Sequence, residues 1–277
     1  ELSTKRLNND FNEFFLPFTQ QQNFEVGEIK LDFIKDNISG YLNKKKTKTF
    51  YIENYGDNFL VATKTGEFFI SKNLKINKSS FTKISSNLDE FKILDIYIDG
   101  DYLYVSGFKE NKLCKKLSLY KTTLKKSFDF IEIFENNECA DKIMAGRIQS
   151  YIENNNKYIL LATAADILKD RITEKDSKPQ DDNSIYGKII KIDANTLKYV
   201  LFTKGHRNIL GLYVDEDVIL ATENGPKGGD EINKIEQGKN YGWDISSYGL
   251  KYKSQKPYSS HKENNFQEPI YTFIPSV

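Results

Sequence analysis

Between Glu223 and Asn233 the chain reads Glu-Asn-Gly-Pro-Lys-Gly-Gly-Asp-Glu-Ile-Asn. A Gly-Pro-x-Gly-Gly turn leaves backbone carbonyls outside regular pairing, and the carboxylates of Asp230 and Glu231 follow at once. Hard oxygen donors of this kind suit Ca²⁺, which collects carboxylate and carbonyl oxygens in flexible geometry. Elsewhere the reactive side chains are sparse. The histidines are His206 and His261, and the cysteines Cys114 and Cys139, with no Cys-x-x-Cys pair. Spaced this way they do not suggest a zinc site. No Gly-x-Ser-x-Gly, phosphate-binding Gly-rich loop or His-Glu-x-x-His is present. The stretch Asp95–Asp101 has a superficial calcium-loop look, but Ser106 stands where the closing glutamate belongs.

Strands are the elements that must position these groups. The chain has 17 Tyr and 19 Phe against one Trp and one Met, and together with many Ile, Val and Thr these rings fit pleated, half-buried surfaces. Four strand-like runs each follow a polar turn: residues 57–63, 101–107, 157–163 and 217–223, with starts 44, 56 and 60 residues apart. A second run with polar–apolar alternation comes after each, at 66–72, 112–120, 186–193 and 230–238. Units of about 40–60 residues carrying some four strands read as propeller blades; an irregular β-sandwich is the competing architecture. The fold class expected is therefore all-β, a β-propeller of four-stranded blades. About four blades span residues 50–240, and the tail from Pro269 to Val277 is read as opening a fifth. Because small propellers close their ring to hide sheet edges, a longer protein is expected. The domain reading is an N-terminal arm over 1–45 and an incomplete propeller over 46–277.

Residues 205–249 carry more specific motifs: Gly-His-Arg-Asn (205–208) with Gly211-Leu212, Thr222–Asn233, Gly-Lys-Asn-Tyr-Gly-Trp (238–243) and Ser-Tyr-Gly (247–249). This order closely resembles the soluble pyrroloquinoline-quinone (PQQ) sugar dehydrogenases, the glucose/sorbosone dehydrogenase family. Flanking matches lie at 179–193 and 268–276; the resemblance is strong over 180–277 and weak before residue 140. It implies a six-bladed propeller of which roughly two blades are absent here. It also implies that the carbonyls of Gly225 and Pro226 hold a cofactor-associated calcium, and that Glu231 with the carbonyl of Tyr241 holds a second, structural one. Arg207 and Asn208 would match the pair facing the cofactor, where a fixed guanidinium favours a carboxylate or a developing oxyanion. Asn224 stands where the family has glutamine or histidine.

The resemblance breaks at the base. Family members that oxidise sugars use a histidine in His-x-x-Gly-Arg to accept the hydroxyl proton as hydride passes to the quinone. The counterpart here is Ile143-Met144-Ala145-Gly146-Arg147, and isoleucine cannot accept a proton. Shifting the frame offers Asp141, Lys142 or Met144, never histidine. The supporting Thr-x-Gly-Asp turn reads Thr163-Ala164-Ala165-Asp166, and Phe273 replaces an expected tryptophan. Losing a positioned general base costs about 10²–10⁴-fold in rate. The expectation is a diverged, calcium-stapled binding or structural module; the alternative is an active PQQ-dependent aldose or sugar-alcohol dehydrogenase with a substitute base.

Charge and ends bound the partners. Forty basic residues against 39 acidic leave a net charge of +1, without the basic excess expected of a nucleic-acid binder. No run approaches the roughly 18 apolar residues of a membrane helix. Lys44, Lys45, Lys46 and Lys48 read as a solvated loop. A sugar or glycan is the expected ligand class, with ring-stacking as a minor contribution from the aromatic excess. The family is commonly exported, which implies a periplasmic, extracellular or cell-surface location. Cys114 and Cys139 are either one disulfide or two buried thiols.

Overall fold

The computed structural model describes residues 49–71, 81–88, 90–109, 114–140, 143–166 and 178–274, together with the backbone of strands at 20–26 and 29–35. The remainder of the arm, the lysine run at 44–48, and Asp141 and Lys142 lie outside the described residues. Contacts divide the chain into two units, residues 1–63 with 68–83, and residues 64–67 with 84–277.

In the first unit β1 (Gln20–Val26) and β2 (Ile29–Lys35) pair antiparallel as a separate two-stranded sheet, within the segment read as an arm. The strands β3 (Phe50–Tyr55), β4 (Asn58–Thr63) and β5 (Phe68–Ser71) form a meander, and β6 (Phe81–Ser86) joins its edge, with residues 84–86 already belonging to the second unit. Val61 and Phe69 are buried there, with Phe50, Phe59 and Phe81 packed against them.

The second unit repeats the meander. One sheet runs β7 (Phe91–Asp99), β8 (Tyr102–Lys109), β9 (Ser118–Thr123) and β11 (Ile131–Glu135), while the short β10 (Ser127–Phe128) pairs parallel with Ser85 and Ser86. The next runs β12 (Gly146–Glu153), β13 (Asn156–Thr163), β14 (Lys188–Asp193) and β15 (Tyr199–Lys204). The last runs β16 (Ile209–Asp215), β17 (Val218–Glu223), β18 (Asp230–Lys234) and β19 (Tyr271–Phe273). These sheets are propeller blades, and the recurring runs of the sequence are their second strands, β4, β8, β13 and β17. The expected fifth blade is corrected on one point. Tyr271–Phe273 pairs antiparallel with β18 and is the fourth strand of the fourth blade. Strand β18 has an open edge facing that tail, and its unpaired backbone groups need a partner.

Local chemistry explains the repetition. Each blade opens with a hairpin closed by two residues, Gly56-Asp57, Gly100-Asp101, Asn154-Asn155 and Glu216-Asp217. The first residue of each has positive φ, and three of the four are Gly or Asn, which enter that region most easily. Strand β13 shows how the blades stack. Ile159 and Leu161 point into one core with Leu94, Leu119 and Ile148, and Leu160 and Ala162 into another with Ile209, Leu212 and Ala221. Burial on both faces gives a continuous apolar run rather than alternation. The first strands β7, β12 and β16 lie side by side in that order. Cys114 and Cys139 form a disulfide, beside a bridge from Lys115 to Ala140.

Candidate functional site

The candidate residues collect where the first hairpins of the third and fourth blades open. Gly146 faces Thr163 at the end of β12–β13, and Ile209 faces Glu223 at the end of β16–β17. The Ala165 N–H donates to the Arg207 carbonyl at 2.8 Å, and the Asn224 N–H to the Asn208 carbonyl at 3.0 Å. Thus the Thr-Ala-Ala-Asp turn, the Arg207–Asn208 pair and the Gly-Pro turn share one region.

The Gly-Pro turn is shaped by close backbone approach. Gly229 has φ +71, and a Cβ there would stand 2.3 Å from the Gly249 nitrogen; a Cβ on Gly249 would stand 2.4 Å from the carbonyl oxygens of Pro226 and Gly228. This is why the turn and the Ser-Tyr-Gly segment need glycine at their contact. Asp230 braces the turn, accepting from Gly225 N–H at 2.7 Å and Asn224 Nδ2 at 3.1 Å. The motif's first carboxylate is therefore engaged inside the loop, leaving Glu231 as the one facing inward.

Gly225, Pro226, Glu231 and Tyr241, which the sequence divided between two calcium sites, line a single pocket together with Arg207 and Glu223. Burial and the charge of Glu223 push the Glu231 carboxyl above its ordinary range. Asn233 Nδ2 bridges the two carboxylates, 3.2 Å from Glu231 and 3.5 Å from Glu223. Among the described residues the Glu231 carboxylate accepts only from this amide while facing the buried charge of Glu223, and a cation would relieve it. Among the described residues no group of three or more His, Cys, Asp and Glu side chains forms a metal cluster. Carbonyls and water would have to complete any shell, which fits Ca²⁺ and not zinc. The Tyr241 carbonyl is within 3.1 Å of His261 Nε2. Burial holds the His261 pKa below its ordinary value and its ring neutral.

Glu223, which carried no assignment in the sequence, is the hub. It accepts from the Arg207 backbone N–H and lies 3.0 Å from His206 Nδ1. His206 Nε2 is 2.8 Å from Thr203 Oγ1, and its ring stacks on Tyr241 at 4.6 Å. Trp243, also unassigned, lies under the Arg207 guanidinium, 5.4 Å from ring to Cζ. Arg207 and Asn208 are both buried. Arg207 Nη1 donates to the Asn224 carbonyl at 2.6 Å and to its Oδ1 at 2.9 Å, so Asn224 clamps the guanidinium. Asn208 Oδ1 has no hydrogen-bond partner.

The residue expected from the resemblance at the base's position is different in kind. Ile143 is buried within the core shared with Ile185 and Tyr186. Arg147 is ion-paired to Asp95 at 2.8 Å. Asp166 is paired to Lys178 Nζ at 2.7 Å, and Lys178 also meets Glu138 at 3.2 Å. Although burial opposes it, these carboxylates raise the Lys178 pKa. The amine stays protonated and cannot serve as a base.

A protein-family model described as "Glucose / Sorbosone dehydrogenase" matches residues 50–277. The chain belongs to this family. It is 33% identical over 88 residues to "Aldose sugar dehydrogenase YliI" of Escherichia coli, and 22% identical over 176 residues to "Quinoprotein glucose dehydrogenase B" of Acinetobacter calcoaceticus. The matched segments cover 31% and 52% of this chain but only 22% and 37% of those proteins. The crystal structure of apo soluble aldose sugar dehydrogenase from Escherichia coli superposes with a TM-score of 0.65 at 17% identity, covering 82% of this chain and 72% of that one. That likeness is one of fold, and it agrees with the blades described above.

Proposed function

We propose that this member of the glucose/sorbosone dehydrogenase family is a calcium-stapled propeller whose pocket binds a ligand without carrying out the family's sugar oxidation. The observation that carries the reading is Ile143, an isoleucine packed in the core where the family's histidine base would stand. Lys178, held protonated between Asp166 and Glu138, supplies no replacement.

Calcium would be held by Glu231 and the carbonyls of Tyr241, Gly225 and Pro226. A bound PQQ would supply a hydride acceptor, with Arg207, Asn208 and Asn224 as its contacts. The buried Arg207 guanidinium, with no carboxylate partner among the described residues, supports an acidic group there. Sugars are the ligand class the family suggests. The Cys114–Cys139 disulfide supports an oxidising location, periplasmic, extracellular or on the cell surface. The apolar outer face of the fourth blade, with Tyr213 and Val218 exposed, supports a further blade as its cover, from the same polypeptide or another. Radical footprinting of the native protein should then show Tyr213 protected; labelling as strong as that of a free tyrosine contradicts the cover.

The functional test is turnover. Protein supplied with PQQ, Ca²⁺ and an artificial electron acceptor should oxidise neither aldoses nor sugar alcohols. Sustained turnover abolished by Arg207→Ala would replace this reading with the dehydrogenase one.

A further inference from the structure

Arg207 is more than nine-tenths buried, and its hydrogen bonds are lopsided. Nη1 is saturated by Asn224, Nε has no partner, and Nη2 meets only the Tyr252 hydroxyl, at 3.3 Å. Nε and Nη2 form one edge of the guanidinium fork, the edge that takes a carboxylate through two parallel bonds. A buried cation facing a neutral phenol through one long bond is under-compensated. Glu223 does not neutralise this edge, because its oxygens serve the Arg207 backbone N–H, His206 and Asn233.

Tyr252 itself is 54% exposed and sits on a small hairpin, closed by a bridge from Leu250 to Pro257. Inside it Lys251 N–H donates to the Lys256 carbonyl and Gln255 N–H to the Lys251 carbonyl, each at 2.9 Å. The chain as a whole is balanced in charge, yet residues 244–263 hold Lys251, Lys253, Lys256 and Lys262 against Asp244 and Glu263. Lys251, Lys253 and Lys256 are exposed. Three exposed lysines thus share a hairpin with a phenol that meets a buried guanidinium.

We propose that the Nε–Nη2 edge of Arg207 is a carboxylate site, that Tyr252 is the group its ligand displaces, and that the lysines of hairpin 250–257 bias the pocket toward acidic over neutral ligands. The inference rests on the pocket being a ligand site, as proposed above, but not on any turnover. The carboxylate can belong to a sugar acid or to a carboxylated quinone.

Trp243 is the one tryptophan of the chain and lies beneath Arg207, so its fluorescence reports on the site. Full-length protein in calcium buffer is titrated with D-glucuronate and with its neutral amide, D-glucuronamide. PQQ and its trimethyl ester are compared by equilibrium dialysis. In at least one pair the acid should bind about tenfold or more tightly than the neutral form, as expected when a charge-assisted fork is engaged. The pair that discriminates identifies the source. Tyr252→Phe, which removes the competing hydroxyl, should tighten the acid by about threefold, and a Lys251→Ser/Lys253→Ser/Lys256→Ser variant should weaken it and flatten its salt dependence. Equal binding of acid and neutral form in both pairs overturns the site. A Tyr252→Phe protein that binds the acid no better overturns the displacement. Failure to oxidise sugars touches neither result.

Discussion

The third and fourth blades follow the same plan but differ in what covers them. In the third, Ile159 to Thr163 of β13 are wholly buried, because β13 feeds the cores on both of its sides. In the fourth, β17 alternates: Ile219 and Ala221 are buried while Val218 is exposed, and Tyr213 on the paired β16 is 54% exposed. The third blade therefore acts as scaffold. The fourth, held on one face only, carries nearly all of the pocket, from Arg207 through Glu231 to Trp243. A ligand or ion that ties the fourth blade's loops together has more stability to add there than in the third.

Truncation in the two blades should separate them most. Leu161→Ala should destabilise by about 2–5 kcal/mol through the cavity left in the core it shares with Leu94, Leu119 and Ile148. In residues 1–277 alone, without the covering blade, Tyr213→Ser should fall within about 0.5 kcal/mol, as changes at an uncovered face usually do. Denaturant midpoints of the two variants check this, and equal losses would erase the distinction.

Next in size is Lys188, buried in the third blade with Nζ donating to the carbonyls of Lys178, Pro179 and Tyr186 at 2.6, 3.0 and 3.1 Å. Lys188→Met should cost about 1–3 kcal/mol at pH 7, because three carbonyls lose their donor. Burial pushes the amine down to about 8. Between about pH 8 and the ordinary lysine value near 10.4 the unfolded chain binds the extra proton, so the lysine's contribution shifts toward the folded state as pH rises. Unfolding curves of wild type against Lys188→Met should diverge in that window and run parallel below it. Divergence with the opposite sign would show the carbonyl cage outweighing burial.

The smallest effect expected is Val218→Thr, on the open face of the fourth blade, at roughly 0.5 kcal/mol or less. Measured on residues 1–277 alone, a loss comparable to that of Leu161→Ala would contradict an open face there.

The sequence made the blades legible because their turns and second strands repeat. The stretches around 57, 101, 157 and 217 could be aligned by eye, and all became second strands. It misjudged the tail at Tyr271, because a strand's place in a sheet depends on which edge is open, here that of β18. The metal and cofactor motifs lay close together along the chain, yet their convergence on one pocket was hidden. So was the hub: Glu223 sits beside a motif but acts through His206, Arg207 and Asn233, contacts that only folding creates. Tyr252 gave no signal at all, since its partner Arg207 is 45 residues away. Ile143 was legible as a substitution, while its burial in the core was not.

The central claim is that the fourth blade's pocket is stapled by calcium through Glu231. It is tested most directly by thermal unfolding of the wild type and of Glu231→Gln, each with chelator and with saturating Ca²⁺. A site occupied at a hundredfold over its dissociation constant adds about 2.7 kcal/mol. The wild type should therefore melt several degrees higher with Ca²⁺ than with chelator, and Glu231→Gln should show little or no such difference. A wild-type melting temperature indifferent to Ca²⁺, or a Glu231→Gln protein that responds as strongly as wild type, would contradict it.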